Sequence, residues 1–141
     1  VSSPRLPVPV DVVELVVRLL RRLLAEHAGE QVRGVQVATE TGRGKDGGPP
    51  SLPWLLVAAD DHDWQWPAIQ AAAIRITCWH RTEHTAKLLL SIVMGLLCAH
   101  CASGAFMAAE PDTAPISGID PRTSAPLAFI VLTVTARTLT R

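Results

Sequence analysis

The stretch WLLVAADDHDWQWPAIQAAAIRITCW, residues 54–79, decides the fold. Trp54 to Ala59 is a short apolar run that fits a strand. Ala71 to Trp79 alternates with a period of two, placing Ala73, Arg75, Thr77 and Trp79 on one face and Ile74, Ile76 and Cys78 on the other. Between them, Asp60 to Pro67 is acidic and rich in tryptophan, so the unit reads as a β-hairpin with a protruding tip.

Helical patterns flank this hairpin. On the N-terminal side Asp11 can cap a helix, with Glu14 placed three residues on to reach back as in a capping box. Val13, Val16, Val17, Leu20, Leu23 and Leu24 then recur at three- and four-residue steps, opposite Glu14, Arg18, Arg21 and Arg22, until Gly29 supplies a stop. That is a helix of about 17 residues, roughly 25 Å long. On the C-terminal side Thr82 can cap a second helix that runs to about Ser103 and stops at Gly104. Past its first turn it is apolar nearly all round, and Leu89, Val93, Leu97, Cys98 and Cys101 are expected to be buried. Such a helix needs cover on more than one side: the sheet on one, and the first helix or a neighbouring subunit on the other.

Further out lie the remaining strands. Val35, Val37 and Thr39 alternate with Gly34, Gln36 and Ala38, and Leu127 to Arg137 alternates over its whole length. Phe106 to Ala109 is a short strand ahead of the proline-interrupted stretch Pro111 to Pro126. Thr41 to Pro53, with four glycines and three prolines, reads as a mobile loop. The order predicts an α+β fold in which two helices pack on one face of a mainly antiparallel sheet of four or five strands. Residues 1–10, with Pro4, Pro7 and Pro9, form an extended arm, and residues 11–141 a single domain.

The composition limits what this domain can do. Hydrophobic residues make up 48% of the 141 and charged ones 18%, more apolar surface than one domain of this size buries by itself, so some should meet a partner. Thirteen basic and thirteen acidic residues cancel, which removes the global field that would draw the chain to nucleic acid or an anionic membrane. Three cysteines do not pair off within one chain, which points to a reduced, intracellular place of assembly. The arm has no basic segment followed by an apolar run, so it is not a secretory signal. The Leu88 to Ala109 stretch is interrupted by Ser91, His100 and Ser103 and is not read as a membrane span.

No constellation amounts to an active site. Cys98-Ala-His-Cys101 has the spacing of a zinc knuckle or redox pair, but Cys78, His80 and His84 sit at the other end of the helix, roughly 21 Å away. A redox pair would sit at a helix N-terminus, where the dipole favours thiolate, and these thiols lie in the last turns, so they read as structural. Asp60, Asp61, His62 and Asp63 could hold a divalent cation but read as a solvated tip. Arg43 and Lys45, in the glycine-rich segment, could touch phosphates. Trp54, Trp64, Trp66 and Trp79 could wall a ligand pocket. No strand-to-helix glycine turn or nucleophile elbow is present. We expect no catalytic residue, no metal and no cofactor.

The order of elements, from the amphipathic N-terminal helix through Gly34-Val35-Gln36-Val37, the 54–79 hairpin and Ala86-Lys87-Leu88-Leu89-Leu90-Ser91-Ile92-Val93 to a last strand closing on Thr135-Ala136-Arg137, resembles the tail terminator proteins of long-tailed bacteriophages. Related head-tail joining proteins share parts of the layout. The resemblance implies a homohexameric ring on the last ring of tail tube protein, at the head-proximal end of the virion's tail. There it would stop tube growth and offer a surface to the head-tail connector protein. DNA would pass through its channel without sequence-specific binding, and assembly would take place in the host cytoplasm. Such proteins have no catalytic residues to carry over. The alternatives are another head-tail completion protein, or a small zinc or redox protein using Cys98 and Cys101. The segments expected to touch neighbouring subunits or the tube are those holding Arg43 and Lys45, and Asp60, Asp61, His62, Asp63, Trp64 and Trp66.

Overall fold

The computed structural model describes residues 5–27, 29–40, 44 and 47–140. In chain order the elements are β1 (Pro7–Val8), α1 (Val12–Glu26), a short 3-10 turn (Glu30–Val32), β2 (Gln36–Ala38), β3 (Trp54–Gln65), β4 (Ile69–Trp79), α2 (Glu83–Cys98), β5 (Phe106–Pro111), β6 (Ile116–Ile119), β7 (Pro126–Arg137) and β8 (Leu139–Thr140). Six strands form one sheet, ordered β2-β3-β4-β7-β5, with β6 also paired to β7; β1 and β8 form a separate two-stranded pair. The α+β class and the two helices are as expected. The sheet, however, is mixed and larger than four or five strands, because β2 runs parallel to β3 while the other pairs are antiparallel.

The parallel pair explains the length of the glycine- and proline-rich segment. An antiparallel partner can be reached by a two-residue turn, whereas a parallel one needs a crossover of about a dozen residues or more. Residues 39–53 supply that length, returning the chain to the same end of the sheet so that Gln36 pairs with Trp54. Most of residues 41–46, including Arg43 and Lys45, lie outside the described residues.

Alternation decides which face is covered. Leu55 and Val57 on β3, Ala72, Ile74, Ile76 and Cys78 on β4, and Ala128, Ile130, Leu132, Val134 and Ala136 on β7 are all buried. They pack with Val16, Leu20 and Leu24 of α1 and Leu89, Leu90, Val93 and Leu97 of α2 in one core. The intervening residues, among them Leu56, Ala73, Arg75, Phe129, Val131 and Thr133, are half-buried or exposed, apart from Trp79, which is buried against Asp120. Both helices therefore lie on one face, and much of the other stays open.

The helix ends follow local chemistry. Asp11 caps α1 by accepting the Glu14 N–H at 3.1 Å, but the Glu14 carboxylate turns forward to Arg18, so the expected reciprocal box is absent there. The reciprocal box occurs at α2 instead: Thr82 Oγ1 accepts the Thr85 N–H at 3.1 Å and Thr85 Oγ1 accepts the Thr82 N–H at 3.2 Å. α2 ends at Cys98, a turn earlier than expected, with Ala99 as its cap. α1 does cover part of α2, yet Leu88 remains 40% exposed, with half-buried Ile92 and Leu96 following at four-residue steps. No helix among the described residues is long and apolar enough to cross a membrane.

Candidate assembly surface

The hairpin differs from its expected form. The acidic stretch is part of β3, which continues to Gln65, and the turn is confined to Trp66, Pro67 and Ala68. Aspartate is a poor strand former, so composition argued for a loop; pairing with β4, which is itself held along its whole length by β7, overrides that preference. A bulge makes this possible. Leu55, Val57 and Ala59 pair with Cys78, Ile76 and Ile74 on the helix face, and strict alternation would put Asp61 and Asp63 there too. The register instead shifts at Asp60, so that Asp61 pairs with Ala73 and Asp63 with Ala71 on the open face. Asp60 itself bonds the Arg75 guanidinium at 3.0 Å, and Arg75 lies over the Phe129 ring, 5.5 Å from its centroid. Asp61 and Asp63 stay exposed and make no ion pair with a described residue.

The same shift turns His62 and Trp64 toward the helix face, where the N-terminal arm arrives. Gln70, only 1% exposed, accepts the Val10 N–H at 2.7 Å and donates to the Val10 carbonyl at 3.1 Å, so one side chain pairs with the arm as a strand would. Its Nε2 also lies 3.0 Å from His62 Nε2. Because that amide nitrogen is a donor, the imidazole nitrogen accepts. Pro7 and Val8 complete the attachment by pairing with Thr140 and Leu139. The arm is thus stitched to the domain from residue 7 onward.

The four tryptophans do not share a pocket. Trp54 donates to the Glu40 carbonyl at 3.2 Å, Trp64 to Thr138 Oγ1 at 3.1 Å, and buried Trp79 to the Asp120 carboxylate at 2.9 Å. Trp66 is 67% exposed at the hairpin turn. Beside it Arg5, Pro7, Pro67, Ala68, Ile69, Met107, Arg137 and Thr138 line an open, mainly apolar cleft of about 590 Å³. With exposed Leu6 and Leu139 also at this end, the hairpin turn, the arm and the start of β5 form the apolar extremity of the molecule.

The cysteine motif is not brought together with other ligands. Leu89, Val93 and Leu97 are fully buried, but Cys98 is half-buried and Cys101 exposed. The expectation that both thiols pack fails for Cys101 because α2 stops at Cys98 and the chain leaves the core. His100 lies 3.0 Å from Ser103 Oγ and against the Phe106 ring. No group of three histidine, cysteine or acidic side chains able to hold a metal ion occurs among the described residues. Burial, and then the Glu110 charge, push the Cys98 thiol up, and burial alone takes Cys78 to about 12.

Sequence reasoning also missed β6. Pro115 and Pro121 bracket Ile116 to Ile119, and prolines normally argue against a strand, but an edge strand tolerates them outside its bonded positions. Ile116 and Ile119 are 44% and 71% exposed there. The one signal was the pair of isoleucines itself.

No family model matches the chain, and no curated protein matches it in sequence. Its fold does have a counterpart among solved structures: a chain of the virion of a native gene transfer agent (GTA) particle superposes with a TM-score of 0.57 at 14% identity. The match covers 92% of this chain and 98% of that one.

Proposed function

We propose that the protein is a structural virion component that forms a ring on the end of a phage-type tail tube, stops its growth and presents a surface for head attachment. The observation that carries this reading is the sheet whose second face is left largely open, in a fold shared over nearly the whole chain with a chain of a GTA virion particle. In this reading the chain has no catalytic role. Its partners are further copies of itself, six in the closed ring, the tail tube protein, the head-tail connector and the DNA that crosses the channel.

Two features suit a ring. Beyond Leu56, the outer edge of β3 has no strand partner among the described residues, and an open edge is a template for a neighbouring chain. The Leu88, Ile92 and Leu96 stripe of α2 offers apolar area on the helix side. An edge and a helix stripe are different patches, so a contact between them is head-to-tail and closes into a ring when the rotation allows. Mass in solution together with negative-stain images of the chain, alone and with tube protein, tests the proposal. Rings with an open centre are expected, and a monomer at every concentration in both conditions overturns it.

A further inference from the structure

A second cleft, of about 290 Å³, opens between the turn after α1 and the start of α2, lined by Glu30, Arg33, Leu52, Pro53, His80 and Arg81. Its cations are unspent. The ion pairs among the described residues engage Arg18, Arg75 and Lys87, whereas Arg33 and Arg81 are exposed and take part in none. Glu30 is the one carboxylate on the lining, against two guanidiniums.

The histidine adds a donor that needs no protonation. His80 Nδ1 accepts the backbone N–H of Arg81 at 2.8 Å. With that nitrogen fixed as acceptor, the proton of the neutral ring resides on Nε2. Burial, and then the Arg81 charge, hold His80 below its ordinary 6.5, so the ring is mainly neutral at pH 7 and Nε2–H remains a donor.

We propose that this cleft binds a phosphate group, with the Arg33 and Arg81 guanidiniums and His80 Nε2–H as its donors. Guanidinium forks match the spacing of phosphate oxygens and form charge-assisted bonds, and a neutral imidazole donor adds orientation. Buried Pro53 and exposed Leu52 form the apolar part of the lining. The phosphate can belong to free inorganic phosphate or to a nucleic-acid backbone. The site stands apart from the ring, since an isolated subunit carries all of its lining.

The test titrates the full chain at low salt with inorganic phosphate and, separately, with a short single-stranded DNA, following the His80 Cε1–H resonance. A saturable shift in at least one arm is expected, weakened about tenfold by Arg33→Ala with Arg81→Ala and unchanged by Arg18→Ala. A response to phosphate alone identifies a free ligand. DNA binding whose salt slope falls by roughly 1.4 in the double variant, about 0.7 for each lost phosphate contact, identifies the backbone. Should the alanine variant misfold, Arg33→Lys with Arg81→Lys keeps the charges, loses the forks and should bind a few-fold more weakly. No saturable shift in either arm, or equal binding by the variants, overturns the assignment whether or not rings form.

Discussion

Asp120 shows how a single buried carboxylate can organise a corner of this fold. Burial opposes its ionisation, but the Arg122 N–H at 2.8 Å, Trp79 Nε1–H at 2.9 Å and the Thr123 donors outweigh that and hold it below its ordinary 3.8. A depressed folded-state pKa stabilises above the ordinary value, and the contribution is lost as pH falls through the folded one. Acid unfolding should therefore steepen below about pH 4, and Asp120→Asn should flatten that slope while costing about 1 to 2 kcal/mol at pH 7; denaturant midpoints against pH measure both. The thiols separate in the same residue-level way. Cys101 should react with a thiol reagent in the native state and Cys78 only after unfolding, a contrast that mass spectrometry of the labelled chain reads directly. Cys101→Ala should change stability by less than about 0.5 kcal/mol.

Among the elements, the clasp on the arm is the most specific contact. Gln70→Ala removes the partners of both Val10 backbone groups and of His62, and should cost about 2 to 4 kcal/mol and raise amide exchange at Val10; unchanged exchange would show that the β1–β8 pair holds the arm alone. None of this was legible beforehand, because a glutamine inside an alternating strand carries no mark of a partner sixty residues away. The elements with local signals were legible. Asp11 and Thr82 mark both helix starts, and the alternation of Leu127 to Arg137 gives β7 almost to the residue. The misread elements are those that tertiary pairing decides against composition: the aspartates of β3, the proline-bracketed β6, and the parallel direction of β2. Of the candidate surface, exposed Trp66 was legible as an aromatic in a turn. The other tryptophans were not separable from it, since each is satisfied by a distant partner.

At the scale of the whole molecule, a largely open sheet face, a strand edge without a partner among the described residues and an apolar extremity leave surface uncovered on several sides. Trp66→Ala should leave the fold intact, since the side chain is 67% exposed, and weaken assembly or tube attachment. Sedimentation of the variant and the length of tails formed in its presence check this, and wild-type values in both would make Trp66 a spectator. Net charge of zero fits a chain whose contacts are decided patch by patch, with exposed aspartates on the hairpin and arginines lining the two clefts.

The extra residue at Asp60 has a consequence for comparing this chain with others. It acts as a phase shift: before it odd-numbered residues of the strand face the core, and after it even-numbered ones do. A homologue of equal length with a regular strand in place of the bulge would need acids and apolar residues exchanged along the rest of the strand to keep carboxylates out of the interior. Position-by-position alignment would score that exchange as wholesale divergence, although the surfaces presented are the same. One residue fewer at this point leaves both faces as they are, so a single gap there restores the match.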